Sequence, residues 1–327
     1  MCGFAPHTNV YSTLNPQRLG VMISTRGTMT KSKAYIGFIT PGFILYSLFM
    51  IVPLGFAIYY SFFNWSGMGA MDFIGLDNFR RIFFDERMGG IFRNALGNNF
   101  RYMAVAVFIF IPIQIGMAYL IHLKIRGHNL FRLMIFLPYV ISPSIIGFFA
   151  LLVFDPNIGM LNTLLLSLGL QDMVSAWFGN PDIAFSLLVG VIGWNGIGVG
   201  MVIILANMKN IPDDVVEASI IDGASVWQRF WHIELPFLKP SIVNVVVLSS
   251  IFALTQFDIP FIVGGLNGGI DGKLDFLSLM FFRYTFGDAY FGETALGFGA
   301  AISVVSFSII LCISLLQKLV FNRLFNR

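Results

Sequence analysis

The sequence predicts an all-α polytopic membrane protein with about six transmembrane helices, and three observations carry that reading. Only 11% of the 327 residues are charged and 57% are apolar, including 36 Phe and 15 Met. Soluble domains carry about 25% charged residues, and so little polar surface could not cover a water-soluble core of this size. Apolar runs long enough to cross about 30 Å of hydrocarbon as helices recur at 35–63, 102–123, 131–154, 184–208, 241–263 and 296–320. The basic residues are sorted between the segments that join these runs, 13 on one side and 7 on the other. The positive-inside bias then places both termini in the cytoplasm. A net charge of +3, from 20 basic and 17 acidic residues, gives no excess that would suit nucleic acid.

Taken in order, residues 1–34 form a cytoplasmic tail. Its first 28 residues are rich in Ser, Thr and Asn, show no helical period and are expected to be disordered. Span one is too long for a signal-peptide core and is followed by no small-residue cleavage site, so it is expected to remain in the mature protein. Pro41, Pro53, Pro112 and Pro143 would weaken soluble helices, whereas spanning helices tolerate proline when neighbours satisfy the freed backbone groups. The outer loop before span two holds Arg80, Arg81, Arg87, Arg93 and Arg101 beside Asp72, Asp77, Asp85 and Glu86, which suits a small folded cap. Loop 155–183 has no Lys or Arg. The transmembrane domain thus covers 35–320, includes the cytoplasmic loop 209–240 and leaves a short cytoplasmic tail at 321–327.

That loop is the most informative segment. Pro212 suits the first turn of a helix, and Asp213, Asp214 and Glu217 place negative charge near its positive end. The helix is expected to stop at Gly223 with a left-handed cap. Ser225 and Gln228 have capping-box spacing, so a second short helix through Trp227, Phe230 and Trp231 should follow and end at Leu235-Pro236.

Glu217, Ala218, Gly223, Ile233, Leu235 and Pro236 resemble the signature of binding-protein-dependent ABC importer permeases: Glu-Ala-Ala, three residues, Gly, nine residues, Ile, one residue, Leu-Pro. The single departure is Ser219, another small residue that should pack where the second Ala stands. The chain most resembles the maltose- and glycerol-phosphate-related subgroup, through Leu137-Pro138-Tyr139, Asp222-Gly223-Ala224-Ser225 and Asn267-Gly268-Gly269. Without the extra N-terminal spans and large outer domain of the maltose-type member, the chain is expected to have the compact six-span form of the type I ABC importer permease fold.

The resemblance also implies a working assembly in a bacterial inner membrane. A homologous second permease would complete the pathway, two ATPase subunits would hold ATP and Mg, and an extracytoplasmic binding protein would deliver a carbohydrate of oligosaccharide size. This chain has no ATPase motif and would bind no cofactor itself. The 209–240 loop would be the coupling element. Glu217 would be its docking acid, Ala218 and Ser219 its small positions, Gly223 its turn, Trp227 and Phe230 its packing residues, and Leu235-Pro236 its end.

Polar residues inside spans are costly unless they face a cavity or a partner. Tyr139, Ser142, Ser144, Trp194, Asn195, Asn244, Ser249, Thr255, Gln256 and Asp258 fall in the runs. Ser249 and Gln256, seven apart, would share one helical face. Amides suit paired hydroxyls, and aromatic rings suit the apolar face of a sugar. The resemblance places substrate contacts at Tyr139, Ser144, Asn195, Ser249 and Gln256, while helix-to-helix hydrogen bonding is the plainer role for each. Asp258 would lie near the outer end of its span, in water. Gly196, Gly198 and Gly200 offer a small-residue face for close helix packing or for a gate. The Gly-rich run 263–273 fails as a phosphate loop, because Asn267 and Leu274 stand where Gly and Ser or Thr are needed. His122, His128, His232, Cys2 and Cys312 have no partners at metal-ligand spacing. A membrane-bound enzyme would need clustered acids or histidines, and a proton-coupled secondary transporter would need embedded carboxylates or repeat symmetry. Neither pattern is evident.

Overall fold

The computed structural model describes residues 28–287 and 295–325, so the expected disorder of the N-terminal tail lies outside the described residues. The described residues up to Phe56 pack as one unit and those from Ala57 onward as another. Helix α1 (Thr28–Tyr46) passes through a widened turn at Ser47–Ile51 into α2 (Val52–Tyr60). It thus begins seven residues before the span start at 35 that the apolar run suggests.

Five helices among the described residues are long and apolar enough to cross a membrane: Ile36–Tyr60, Glu86–His122, Ala184–Met208, Val226–Gly264 and Leu296–Phe321. The sixth expected span is broken. Helices α6 (His128–Val140) and α7 (Pro143–Val153) meet at an angle of 98°. Ile141 and Ser142 are extended, with ψ of 136° and 134°. Pro143 disfavours a helical conformation at Ser142, which accounts for a break at this point. Leu137-Pro138-Tyr139 therefore closes the first half of span three.

Prolines also explain the π-type turns. The five-residue turns at Ser47–Ile51, Ala106–Phe110 and Phe230–Glu234 each end two residues before a proline, Pro53, Pro112 and Pro236 respectively. In each, the residue just before the proline donates back to the first carbonyl of the turn: Val52 to Ser47, Ile111 to Ala106 and Leu235 to Phe230. A proline ring clashes with the carbonyl four residues earlier and supplies no N–H, and one extra residue in the turn relieves both problems.

The expected outer cap is present. Strands β1 (Phe63–Asn64) and β2 (Asp72–Phe73) pair antiparallel, and α3 (Asp77–Phe84) leads into α4 (Glu86–Val105), where the Asp85 side chain accepts from Met88 N at 2.7 Å. Helix α4 continues through its π turn into α5 (Ile111–His122). Asparagines on α4 then read a distant main chain. Asn94 donates to Gly272 O at 2.7 Å, Asn98 to Lys273 O and Asp275 O, and Asn99 to Ala253 O, while Leu277 N donates to Asn99 Oδ1. Arg283 Nη2, on α14 (Leu277–Phe286), meets Asp275 Oδ2 at 2.8 Å. Burial holds the Asp275 carboxyl above the usual carboxylate range, against the pull of that guanidinium.

Helix α9 (Ala184–Met208) is the central element and packs against α5, α6 and α12 (Leu235–Leu254). Its glycines permit close approach: a Cβ at Gly198 would stand 2.7 Å from Ile135 O, and one at Gly200 would overlap the Gln114 amide. Gly198 and Gly200 are thus close-packing positions toward α6 and α5, whereas Gly196 has nothing within 4 Å of a Cβ position.

Candidate functional site

One cavity is lined by the second of two helix breaks and by the residues that flank the first, Tyr139 and Pro143. The first is Ile141–Ser142; the second follows α12, where Thr255, Gln256 and Phe257 leave the helix before α13 (Asp258–Gly264). The cavity has a volume of about 270 Å³, and its lining includes Tyr139, Asn195, Ser249 and Gln256, four of the five residues expected on a substrate pathway. Ser144 is not part of that lining; it sits half-buried in the first turn of α7, beyond the bend. Ser249 and Gln256 do share the cavity, but the shared helical face does not explain it, because the helix ends at Leu254 and Gln256 lies in the break.

Asn195 makes a helix-to-helix hydrogen bond and also lines the cavity. Its Nδ2 donates to Pro138 O at 2.7 Å, which satisfies a carbonyl near the bend. Tyr139 is 47% exposed and tilts against Phe136, with ring centroids 5.6 Å apart. Trp194 instead lines a separate apolar groove with Ile141 and Phe149.

Several lining residues lie outside the five expected on the pathway. Tyr102 and Gln114 enter from span two, and Thr255 and Asp258 from the second break. Gln114 was detectable by the same rule applied to the other spans, since it is an amide in an otherwise apolar run. Its Oε1 is buried with no hydrogen-bond partner. Asp258, expected in water near the end of its span, opens α13 and lines the cavity.

At one end of the bundle, the 209–240 loop forms helix α10 (Asp213–Ile221), a turn, and helix α11 (Val226–Arg229). Gly223 has a φ of +79°. Ala224 N donates to Ser219 O and Gly223 N to Ile220 O, both at 3.0 Å, which is the Schellman pattern. Ser225 and Gln228 form the reciprocal capping box. Leu235-Pro236 does not end the second helix, however. The π turn at Phe230–Glu234 carries α11 directly into α12, and Pro236 sits in the first turn of that helix, where its missing N–H costs little.

Glu217 and Ala218 are exposed, and Ser219 is buried with its hydroxyl donating to Val216 O at 2.6 Å. Trp227 is 65% exposed and Ile221 85%, so this end presents a bare apolar surface. Phe230 turns inward, its ring centroid 4.4 Å from that of Tyr119, and Tyr119 donates its hydroxyl to Val226 O. Phe230 therefore supports the loop from behind instead of facing outward. Arg229 Nε meets Glu234 Oε1 at 2.8 Å beside it.

Residues 110–326 match the family described as binding-protein-dependent transport system inner membrane component. The chain belongs to that family. It is 30% identical over 275 residues to the multiple sugar-binding transport system permease protein MsmF of Streptococcus mutans, an alignment that covers 84% of this chain and 90% of that one. It is also 30% identical to the diacetylchitobiose uptake system permease protein NgcF of Streptomyces coelicolor, across 83% of this chain and 78% of the relative. A solved bacterial alginate ABC transporter, in complex with an alginate pentasaccharide-bound periplasmic protein, has a chain of the same fold. Its TM-score is 0.73 at 20% identity, and the match covers 90% of this chain and 96% of that chain. The fold is thus that of an ABC importer permease, a membrane subunit.

Proposed function

We propose that this permease passes a carbohydrate of oligosaccharide size, delivered by an extracytoplasmic binding protein, through a pathway completed by a homologous second permease. ATP and Mg act on two partner ATPase subunits, which dock at the 209–240 loop on the cytoplasmic side. Closure of those subunits moves the loop, and the cavity alternates between outward and inward access. The observation that carries the reading is the cavity between the two helix breaks, where amides, hydroxyls and aromatic rings meet in otherwise apolar spans. Discontinuous helices free backbone groups at mid-membrane, which transporters use where irregular chain lines a pathway.

Gln256 tests the reading most cleanly, because its side chain lines the cavity from within the break and not from a helix. In proteoliposomes holding the complete importer, Gln256→Leu is expected to lower sugar uptake about tenfold below saturation, since a sugar hydroxyl would be desolvated without its partner. Equal uptake by both proteins across sugar concentrations would place the pathway elsewhere.

The orientation has its own test. In a background with Cys2 and Cys312 changed to Ser, single cysteines at Asp172 and Asp271 are expected to react with an impermeant maleimide added to whole spheroplasts. A cysteine at Lys124 should react only after lysis. Labelling of position 124 from outside would reverse the topology.

A further inference from the structure

The cavity lining carries one charged side chain, Asp258, and no Lys, Arg or His among the described residues. Arg101, next in sequence to the lining Tyr102, is engaged with Asn98 Oδ1 at 3.2 Å and is not part of the lining. Asp258 is exposed into the space at the first residue of α13, beside Gln256 and Thr255 of the break, with Tyr139 and Ser249 on the same lining. Resting on the carbohydrate reading above, we infer that Asp258 makes this half of the pathway selective for uncharged sugars and excludes uronates and sugar phosphates.

The argument has two sides. An ionised carboxylate is acceptor-only, and its two oxygens can take hydroxyl protons from neighbouring positions on a sugar ring. Gln256 adds both donors and an acceptor beside it, so a neutral polyol finds complementary groups. An anionic sugar brings further acceptors and a charge that meets Asp258 in a site with largely apolar walls and no cation in this lining. Like charges repel even where water reaches them, as at the exposed Asp258, with a strength that falls as salt rises, and an uncompensated charge is one way to reject a competitor. The inference separates this chain from any importer whose cargo is acidic.

The test is direct binding to the permease–ATPase complex in nanodiscs without binding protein, so that no upstream selection intervenes. The probes are a mixture of uncharged trisaccharides and their C6-oxidised uronate counterparts, with bound species read by mass spectrometry at low and high salt. Wild-type protein is expected to retain the uncharged sugars at least about tenfold better than the uronates at low salt. Asp258→Asn should raise uronate retention to near parity, and Asp258→Lys should favour the uronates, while basal ATP hydrolysis shows that each variant is assembled. Equal retention of both classes by wild type, or a preference unchanged in Asp258→Asn, would overturn the inference and leave the carbohydrate reading intact. Retention of neither class by an assembled, ATP-hydrolysing complex would remove the carbohydrate reading, and this inference with it.

Discussion

Gly223→Val and Glu217→Lys are each expected to leave the permease inserted in the membrane yet cut substrate-stimulated ATP hydrolysis of the complete importer by about tenfold or more. The two substitutions act through different physics. Gly223 has a φ of +79°, a left-handed conformation that costs residues with a Cβ about 1–2 kcal/mol, and β-branching adds to it. Nothing lies within 4 Å of the position a Cβ would occupy, so the cost is backbone strain and not collision. Relieving it requires the bonds from Ala224 N and Gly223 N to be given up, and α10 then loses its fixed angle to α11. Glu217 is exposed on α10 and makes no bond that holds the fold, so reversing its charge should act on a docked partner alone. Purified complexes in lipid should show weak stimulation by loaded binding protein, with ATPase subunits lost on washing. Full stimulation and retained ATPase in both variants would reduce the loop to a helix lying at the membrane surface.

Much of this loop was legible because its signals are local. Two acids, a glycine and a Ser-x-x-Gln pair each act within one helical turn and sit in the role their chemistry suggests, while Pro212 stands one position ahead of the first turn, as the N-cap. The spans were legible for the same reason, since hydrophobic length is a property of a single segment. What escaped were the breaks. The bend before Pro143 had a local cause in the sequence, but proline is common in spanning helices and does not by itself say kink or rupture. The break at Thr255–Phe257 has no glycine or proline within it, and Phe257, with φ −141° and ψ −56°, is held by its tertiary setting. The position of Gln256 therefore could not follow from helical periodicity. The asparagine ladder was equally hidden, since Asn98 and Asn99 bond to main chain 154–178 residues away. Such pairings exist only once the fold has formed.

The second large effect is expected at the foot of span five. Arg229→Met should sharply lower the thermal unfolding midpoint of the permease, whereas Arg229→Met combined with Glu234→Leu should restore most of it. Glu234 is fully buried, with one carboxylate oxygen on Arg229 and the other without a hydrogen-bond partner. The pair is already imperfectly satisfied, so deleting the arginine leaves a buried charge with nothing to offset its desolvation. Breaking buried pairs in this way costs about 3–5 kcal/mol, while replacing both partners with apolar groups of similar size is often neutral. The pair also closes the π turn that joins α11 to α12, beside the tilted contact of the Tyr119 and Phe230 rings. A loosened turn should therefore transmit less of any movement of α10 into span five, and the single variant should lose stimulated ATP hydrolysis beyond what its lower stability explains. A double-mutant cycle separates the contributions, because an interacting pair gives a coupling energy well above the scatter of about 0.5 kcal/mol for independent sites. If the double variant is as unstable as the two single losses added together, Arg229 and Glu234 act independently. The strut between α10 and span five would then have to be sought in the contact of Tyr119 with Phe230 alone.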